Sequence, residues 1–171
     1  MKENSSFTSG STCYMISEEK IKSLCRKQAM PRLLLLEETE STNTLAKKLA
    51  EEEAIPDEGI LIVAERQSAG RGRLGRSFLS DGRGLYLSYL FKPELPPEKI
   101  VRITTYSAVA MARAIDSLAD TSTRIKWVND LYLGGKKLAG ILTEGGFEAS
   151  EKSVATGVQR AKQSNSSQNQ C

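Results

Sequence analysis

Histidine is absent from the 171 residues. That excludes a serine or cysteine nucleophile activated by an imidazole base, and every zinc site that needs a His ligand. The three cysteines, Cys13, Cys25 and Cys171, are odd in number, far apart and without C-x-x-C spacing, so neither a disulfide framework nor a thiolate metal or redox motif is expected. No apolar run approaches the roughly 20 residues of a membrane span. The polar, Ser-rich first ten residues lack the apolar core of a signal peptide. A cytoplasmic protein with no membrane contact follows as the expectation, and any catalysis must rest on Arg, Lys, Asp, Glu, backbone N–H groups or a cofactor.

What is present fits one soluble domain. Hydrophobic residues make up 39% and charged residues 26%, which places the chain with globular proteins and not with fibrous or disordered ones. The net charge is +3, but it is unevenly spread. Between residues 66 and 83, five arginines (Arg66, Arg71, Arg73, Arg76 and Arg83) face the single acid Asp81. This surplus exceeds that of the whole chain. A concentrated arginine loop points to a compact anion, whereas a long polyanion calls for basic residues across an entire face.

The pattern of apolar residues predicts alternating helices and strands. Residues 1–30 read as a leader with a short helix capped by Ser17 and stopped by Pro31. Strands are expected at 33–37, 59–65, 84–91 and 124–128, and helices from Ser41-Thr42-Asn43 to about 53 and from 98 to about 118, the second with Ile100, Ile103, Ser107, Ala110, Ala114 and Leu118 along one face. Gly134-Gly135 can take the positive φ values of a tight hairpin turn between strands 131–133 and 136–143. The hairpin demands an antiparallel pair, so the fold class is α+β with a mixed, largely antiparallel sheet and flanking helices. The core runs over residues 31–148. From 149 to 171 the composition turns Ser/Asn/Gln-rich, and a divergent, disordered tail is expected.

Three features can carry chemistry. In Ala69-Gly70-Arg71-Gly72-Arg73-Leu74-Gly75-Arg76 the glycines let backbone N–H groups approach an anion and the arginines supply forked donors. The loop lacks P-loop spacing and lysine, and a solvated Arg/Gly loop is the alternative. A two-residue turn pairs Leu133 with Lys136, Tyr132 with Lys137, Leu131 with Leu138 and Asp130 with Ala139. Alternation then puts Asp130, Tyr132 and Lys137 on one face, with Asp130 and Lys137 as diagonal neighbours at roughly 7–8 Å. That separation suits a phosphate or Mg²⁺ between Asp130 and Lys137; an ordinary surface hairpin is the alternative. Ser41-Thr42-Asn43 is either a simple helix cap or a mouth of N–H groups and hydroxyls for a ligand's polar head. Trp127, Tyr86 and Tyr89 are expected to pack in the core.

In order along the chain, E-S-T-N, A-E-R-Q-S-A-G-R-G-R-L-G-R, G-L-Y-L-S, K-W-V-N-D-L and K-K-L-A-G-I-L-T-E resemble the catalytic domain of biotin-protein ligases, over about two thirds of the sequence. The resemblance implies a fold related to class II aminoacyl-tRNA synthetase and lipoate ligase domains. It also implies two half-reactions: biotin and ATP give biotinyl-5′-AMP and pyrophosphate, and a lysine of a biotin carboxyl carrier domain then takes the biotinyl group. Such chemistry needs charge stabilisation and positioning more than a histidine base.

By the same resemblance Ser41, Thr42, Asn43 and Gln67 hold the biotin ring system, and Arg71, Gly72 and Arg73 belong to a loop closing over biotin and adenylate. Lys137 contacts the activated carboxyl, with Arg71, Arg73 and Lys137 carrying the catalytic charge. Arg73, Arg76, Phe78, Lys126, Asn129 and Asp130 face the nucleotide, and Asp130 faces Mg²⁺. Val128 replaces a usual Pro, Phe78 a common Trp and Leu74 a frequent Arg. After Phe147 the family continues with a buried G-I-G-I-N strand, of which residues 154–159 are at most an echo, and then with a β-barrel domain. A truncated chain with an incomplete sheet is therefore expected. An inactive remnant binding biotin or nucleotide weakly, and a lipoate ligase relative, are the alternatives. Only some thirty residues precede the core, too few for a DNA-binding domain, and a homodimer is compatible with the family.

Overall fold

A computed structural model describes residues 17–24, 30–52, 54–78, 80, 84–147 and 152–160. The expected leader up to residue 16 and the tail after residue 160 lie outside the described residues, as does Arg83. Helix α1 (Glu18–Leu24) starts where Ser17 Oγ accepts the Lys20 N–H at 3.2 Å, the predicted cap.

Strand β1 (Arg32–Thr39), helix α2 (Thr42–Glu52) and strand β2 (Ile60–Gln67) form a strand-helix-strand crossover, which sets β1 and β2 parallel with Thr39 opposite Gln67. All other pairings are antiparallel. They join β3 (Tyr86–Phe91), β4 (Arg124–Lys126), β5 (Asp130–Leu133), β6 (Lys136–Phe147) and β7 (Lys152–Arg160) into one seven-stranded sheet of order β1-β2-β3-β7-β6-β5-β4. The mixed, largely antiparallel sheet with flanking helices is thus as expected.

Alternation along the strands divides the core. Ala46 and Leu49 of α2 pack on Ile60, Ile62, Leu90 and Ala155. On the other face, Ala108 and Ala112 of α4 (Ile103–Ala119) pack on Leu131, Ala139, Ile141 and Val158. The helix predicted over 98–118 is divided at Val101 and Arg102 into a single turn, α3 (Pro97–Ile100), and α4. Within α4, Ala108 and Ala112 face the sheet while Ala110, Ala114 and Leu118 are exposed, because alanines occur on both sides of this helix and do not by themselves mark its buried face. Trp127 is also displaced from the expected core and is 78% exposed, while Tyr86 is buried as expected.

The largest correction concerns residues 152–160. They do not belong to a disordered tail, for β7 lies at the centre of the sheet, paired with β3 on one side and β6 on the other. Most of its residues are small or polar, yet 154–159 have backbone partners on both sides and are all buried. Small side chains are what a central strand needs where a helix presses close. The sheet is therefore not missing its central strand.

Candidate active site

The site is built where the N-terminus of α2 meets the α2 face of β3, β7 and β6. Ser41 is the cap: its carbonyl accepts the Leu45 N–H at 2.9 Å and its Oγ the Thr44 N–H at 3.5 Å. Ser41, Thr42 and Asn43 have no exposed surface, which a plain surface cap does not require. Beneath them lie Ser88 and Gly157, which are register partners. A Cβ on Gly157 would overlap the Asn43 side chain and sit 3.2 Å from Ser88 Oγ, so glycine here is what lets α2 approach the sheet.

These buried polar groups satisfy one another. Gln67 Oε1 accepts the Thr42 N–H at 2.9 Å, and Gln67 Nε2 donates to Ser80 Oγ at 3.0 Å. Ser88 Oγ is 2.8 Å from Thr42 Oγ1 and 2.6 Å from Asn43 Oδ1. Asn43 Nδ2 donates to the Leu142 carbonyl at 3.2 Å and to Glu144 Oε2 at 2.9 Å. Glu144 Oε1 in turn pairs with Lys47 at 2.5 Å and lies 3.9 Å from Arg71 Nη2.

The arginine loop is folded across the neighbouring cleft as a small hairpin, with Phe78 N–H donating to the Gly70 carbonyl and Gly72 N–H to the Arg76 carbonyl, both at 2.7 Å. Three ties hold it to the sheet. Gln159 Nε2 donates to the Arg71 carbonyl at 3.2 Å, Arg73 Nη1 donates to Asn129 Oδ1 at 3.0 Å, and Arg71 reaches Glu144. Asn129 is fixed by donating from Nδ2 to the Ile141 carbonyl at 3.0 Å.

The β5–β6 hairpin supplies the other wall. Gly134 and Gly135 take φ of 57° and 77°, and Leu133–Lys136 and Tyr132–Lys137 pair as predicted. A bulge then shifts the register, so that Leu131 faces Ala139 and Asp130 faces Gly140, not Leu138 and Ala139. The shift brings Lys137 Nζ to 2.7 Å from Asp130 Oδ1, a direct ion pair where a separated diagonal pair was expected. Gly140 leaves room for it: a Cβ there would stand 3.4 Å from Lys137 Nζ.

Arg71, Gly72, Arg73, Phe78, Asn129, Asp130 and Lys137 thus line one cleft, together with Gln159. Ser41, Thr42, Asn43 and Gln67 form the adjoining buried cluster, joined to the cleft through Glu144 and Arg71. Two expected members stand apart. Arg76, exposed like Arg71 and Arg73, does not line the cleft, and Lys126 holds its ammonium 5.7 Å above the Tyr132 ring, in a separate groove with Arg124 and Ser122. Ser88, Glu144, Lys47 and Gln159 were not singled out from sequence; Ser88 was the legible one, a polar residue on the inward side of an alternating strand. Among the described residues, no group of three or more Cys, Asp or Glu side chains is placed to hold a metal, and no helix is long and apolar enough to cross a membrane.

Burial pushes the Glu144 carboxyl pKa up, but hydrogen bonds from Lys47 and Asn43 and the charges of Lys47 and Arg71 outweigh burial and hold it below its ordinary value. A carboxyl depressed on folding contributes stability above its unfolded pKa and loses that contribution as pH falls through its folded pKa. The thermal midpoint is therefore expected to fall as the protein is acidified from about pH 6 to about pH 3, and to fall less steeply in Glu144→Gln. Equal slopes in the two proteins would contradict the assignment.

The biotin/lipoate A/B protein ligase family model matches residues 35–159. The bifunctional ligase/repressor BirA of Bacillus subtilis is 37% identical over 148 residues, covering 84% of this chain and 44% of the relative. The biotin--[acetyl-CoA-carboxylase] ligase of Paracoccus denitrificans is 32% identical over 127 residues, covering 72% of this chain and 52% of its own length. The chain thus spans about half the length of the curated relatives it matches. Among solved structures, a biotin protein ligase from Aquifex aeolicus in complex with biotin and ATP has a TM-score of 0.58 at 31% identity, with coverage of 75% and 51%. A Leishmania major biotin protein ligase in complex with biotinyl-5-AMP has the same fold, with a TM-score of 0.63 at 24% identity over 75% of this chain and 57% of the other.

Proposed function

Because the chain belongs to the biotin/lipoate A/B protein ligase family, we propose that it activates biotin with ATP to biotinyl-5′-AMP and transfers the biotinyl group to a lysine of a carboxyl carrier protein. In the first step a biotin carboxylate oxygen attacks the α-phosphorus of ATP and pyrophosphate leaves. In the second, the acceptor amine attacks the acyl carbon, AMP leaves, and the amine gives up a proton.

The observation that carries this reading is the junction of two unlike environments. Arg71, Arg73 and Lys137 converge on one cleft, where fixed cations stabilise the charge that builds on carboxylate and phosphoryl oxygens. Beside it, Thr42 and Gln67 offer acceptor oxygens and Ser41 a hydroxyl, all buried. A cyclic urea, with N–H groups flanking a carbonyl, matches that set. The dithiolane of lipoate has neither group and gains no hydrogen bond from these atoms. This favours biotin over the lipoate alternative.

Among the described residues Asp130 is the single carboxylate lining the cleft, paired with Lys137 at 2.7 Å, and it would hold Mg²⁺ in the way nucleotide sites do, by one or two carboxylates together with phosphates and water, once that pair opens. Mg²⁺ bound there supplies charge neutralisation for the phosphates of ATP. Phe78 lines the same cleft and offers a ring face to the adenine. The cleft now encloses about 40 Å³, far below the roughly 300 Å³ of a typical small-molecule site, because the arginine loop lies across it. Substrate entry therefore requires residues 70–78 to swing outward, breaking the Gln159 and Asn129 ties. Incubating the chain with biotin, MgATP and a biotin carboxyl carrier domain is expected to add one biotin to one carrier lysine, read by mass spectrometry. A carrier left unmodified, with unchanged ATP, would reject the reading.

A further inference from the structure

The hydroxyl protons of Ser88 and Thr42 serve three oxygen–oxygen contacts under the α2 N-terminus, so one contact goes without a proton; with the two shortest bridged, it is the longest, Thr42 Oγ1 to Gln67 Oε1 at 3.1 Å. Ser88 has a single hydroxyl proton and two oxygen neighbours, Asn43 Oδ1 at 2.6 Å and Thr42 Oγ1 at 2.8 Å. An amide oxygen cannot donate, so the Ser88 proton goes to Asn43 and the Thr42 hydroxyl donates to Ser88. Gln67 Oε1 then receives only the Thr42 N–H, although Thr42 Oγ1 is also within 3.1 Å. The amide of Asn43 is held in this sense at its other end. Its Nδ2 faces two acceptors without protons, the Leu142 carbonyl and the ionised Glu144 Oε2. Lys47 engages the other carboxylate oxygen, Oε1, and so neutralises Glu144 without competing for Asn43.

We propose that Glu144 is a positioning residue for the head group of the substrate: acting through Asn43 and Ser88, its carboxylate directs the protons of the buried chain toward itself, leaving lone pairs of Thr42 Oγ1 and Gln67 Oε1 to receive N–H donors of the ligand. The inference rests on the biotin-ligase reading and deepens it, because the resemblance assigns Glu144 no role. A pocket so directed discriminates for N–H donors even though its own residues are hydroxyls and amides that can face either way. Without Glu144, Asn43 Nδ2 keeps only the longer Leu142 contact, so the amide is held less firmly in this sense, and turning it over reverses the chain and presents donors where acceptors are needed.

The test uses the full chain, with biotin affinity measured by titration calorimetry and the KM for ATP measured in biotin-dependent pyrophosphate exchange. Glu144→Ala is expected to weaken biotin binding about tenfold or more while the KM for ATP changes by less than about twofold. Lys47→Met removes the same ion pair but keeps the Oε2 acceptor, and is expected to weaken biotin by no more than about threefold. Ser88→Ala, a substitution in the middle of the chain, is expected to cost about tenfold, and the double variant with Glu144→Ala less than the product of the two single effects, because both break one chain. Equal losses in Glu144→Ala and Lys47→Met, or multiplicative losses in the double variant, would make Glu144 a merely structural ion-pair partner and overturn the proposal. Should Glu144→Ala not fold, unchanged biotin affinity in Ser88→Ala overturns it as well. If the unaltered chain binds no biotin, the ligase reading itself fails, an outcome distinct from normal binding that the variants leave untouched.

Discussion

Replacing Arg71 or Lys137 by alanine is expected to lower biotin-dependent ATP–pyrophosphate exchange by about a hundredfold or more in each case, the range seen when a single preorganised charge-stabilising donor is removed. Both cations are held before any ligand arrives: Lys137 by Asp130 at 2.7 Å, and Arg71 by Glu144 together with the Gln159 bond to its carbonyl. Once the loop has closed again over the bound substrates, the charge that develops during attack of a carboxylate on a phosphoryl group meets both cations in place, which is why the effect should appear in kcat more than in KM. Arg76 is the internal comparison. It belongs to the same motif but is exposed and does not line the cleft, so Arg76→Ala is expected to cost less than about tenfold. Exchange rates within about threefold of normal in both Arg71→Ala and Lys137→Ala would remove these residues from the reaction.

A chain stopped after Phe147 is expected to lose its cooperative thermal transition altogether. Without β7, the facing edges of β3 and β6 lose their backbone partners in the middle of the sheet, where unpaired N–H and C=O groups are costly. Val158 leaves the cluster under α4, Ala155 the cluster under α2, and Val154 its contacts with Ile100 and Ile103. Taken together, the lost burial and pairing are of the order of the roughly 5–15 kcal/mol by which a domain is stable at all. The shortened chain is expected to bind hydrophobic dye and to melt without a sharp midpoint, as followed by circular dichroism. A sharp transition near the original midpoint would mean that residues 148–171 are the dispensable tail their composition implies.

That contrast shows where the sequence was readable. Strands such as Ile60–Gln67 and Tyr86–Phe91 announce themselves by dense apolar and aromatic residues, and Gly134-Gly135 by the φ values a tight turn needs. β7 does not: Ala155 and Gly157 are small on the face where α2 packs, Gly157 directly against Asn43, and smallness at a close approach reads in sequence as a loop. The bulge between Leu131 and Tyr132 shifts the strand register by one position, which no period count along the chain detects, and the alternating alanines of α4 fit either face of the helix. Of the site, the cleft residues Arg71, Arg73, Asn129, Asp130 and Lys137 were legible because each sits in a motif with charge. Glu144 and Lys47 were not, since a carboxylate and an amine 97 positions apart become partners only when β6 passes under α2. Lys126 was misplaced for a related reason: charge in a motif says nothing of which way the side chain turns, and here it turns onto Tyr132.

Everything proposed for the site depends on whether the cleft and the buried polar cluster act together on one substrate. Biotin-dependent exchange of labelled pyrophosphate into ATP by the unaltered chain tests this most directly, because it requires the head group, the carboxylate and the nucleotide to be bound at once and in line. The account predicts exchange that is saturable in biotin, requires Mg²⁺, and does not occur when lipoate replaces biotin. Exchange no greater with biotin than without it, in a chain that is folded, would contradict the account.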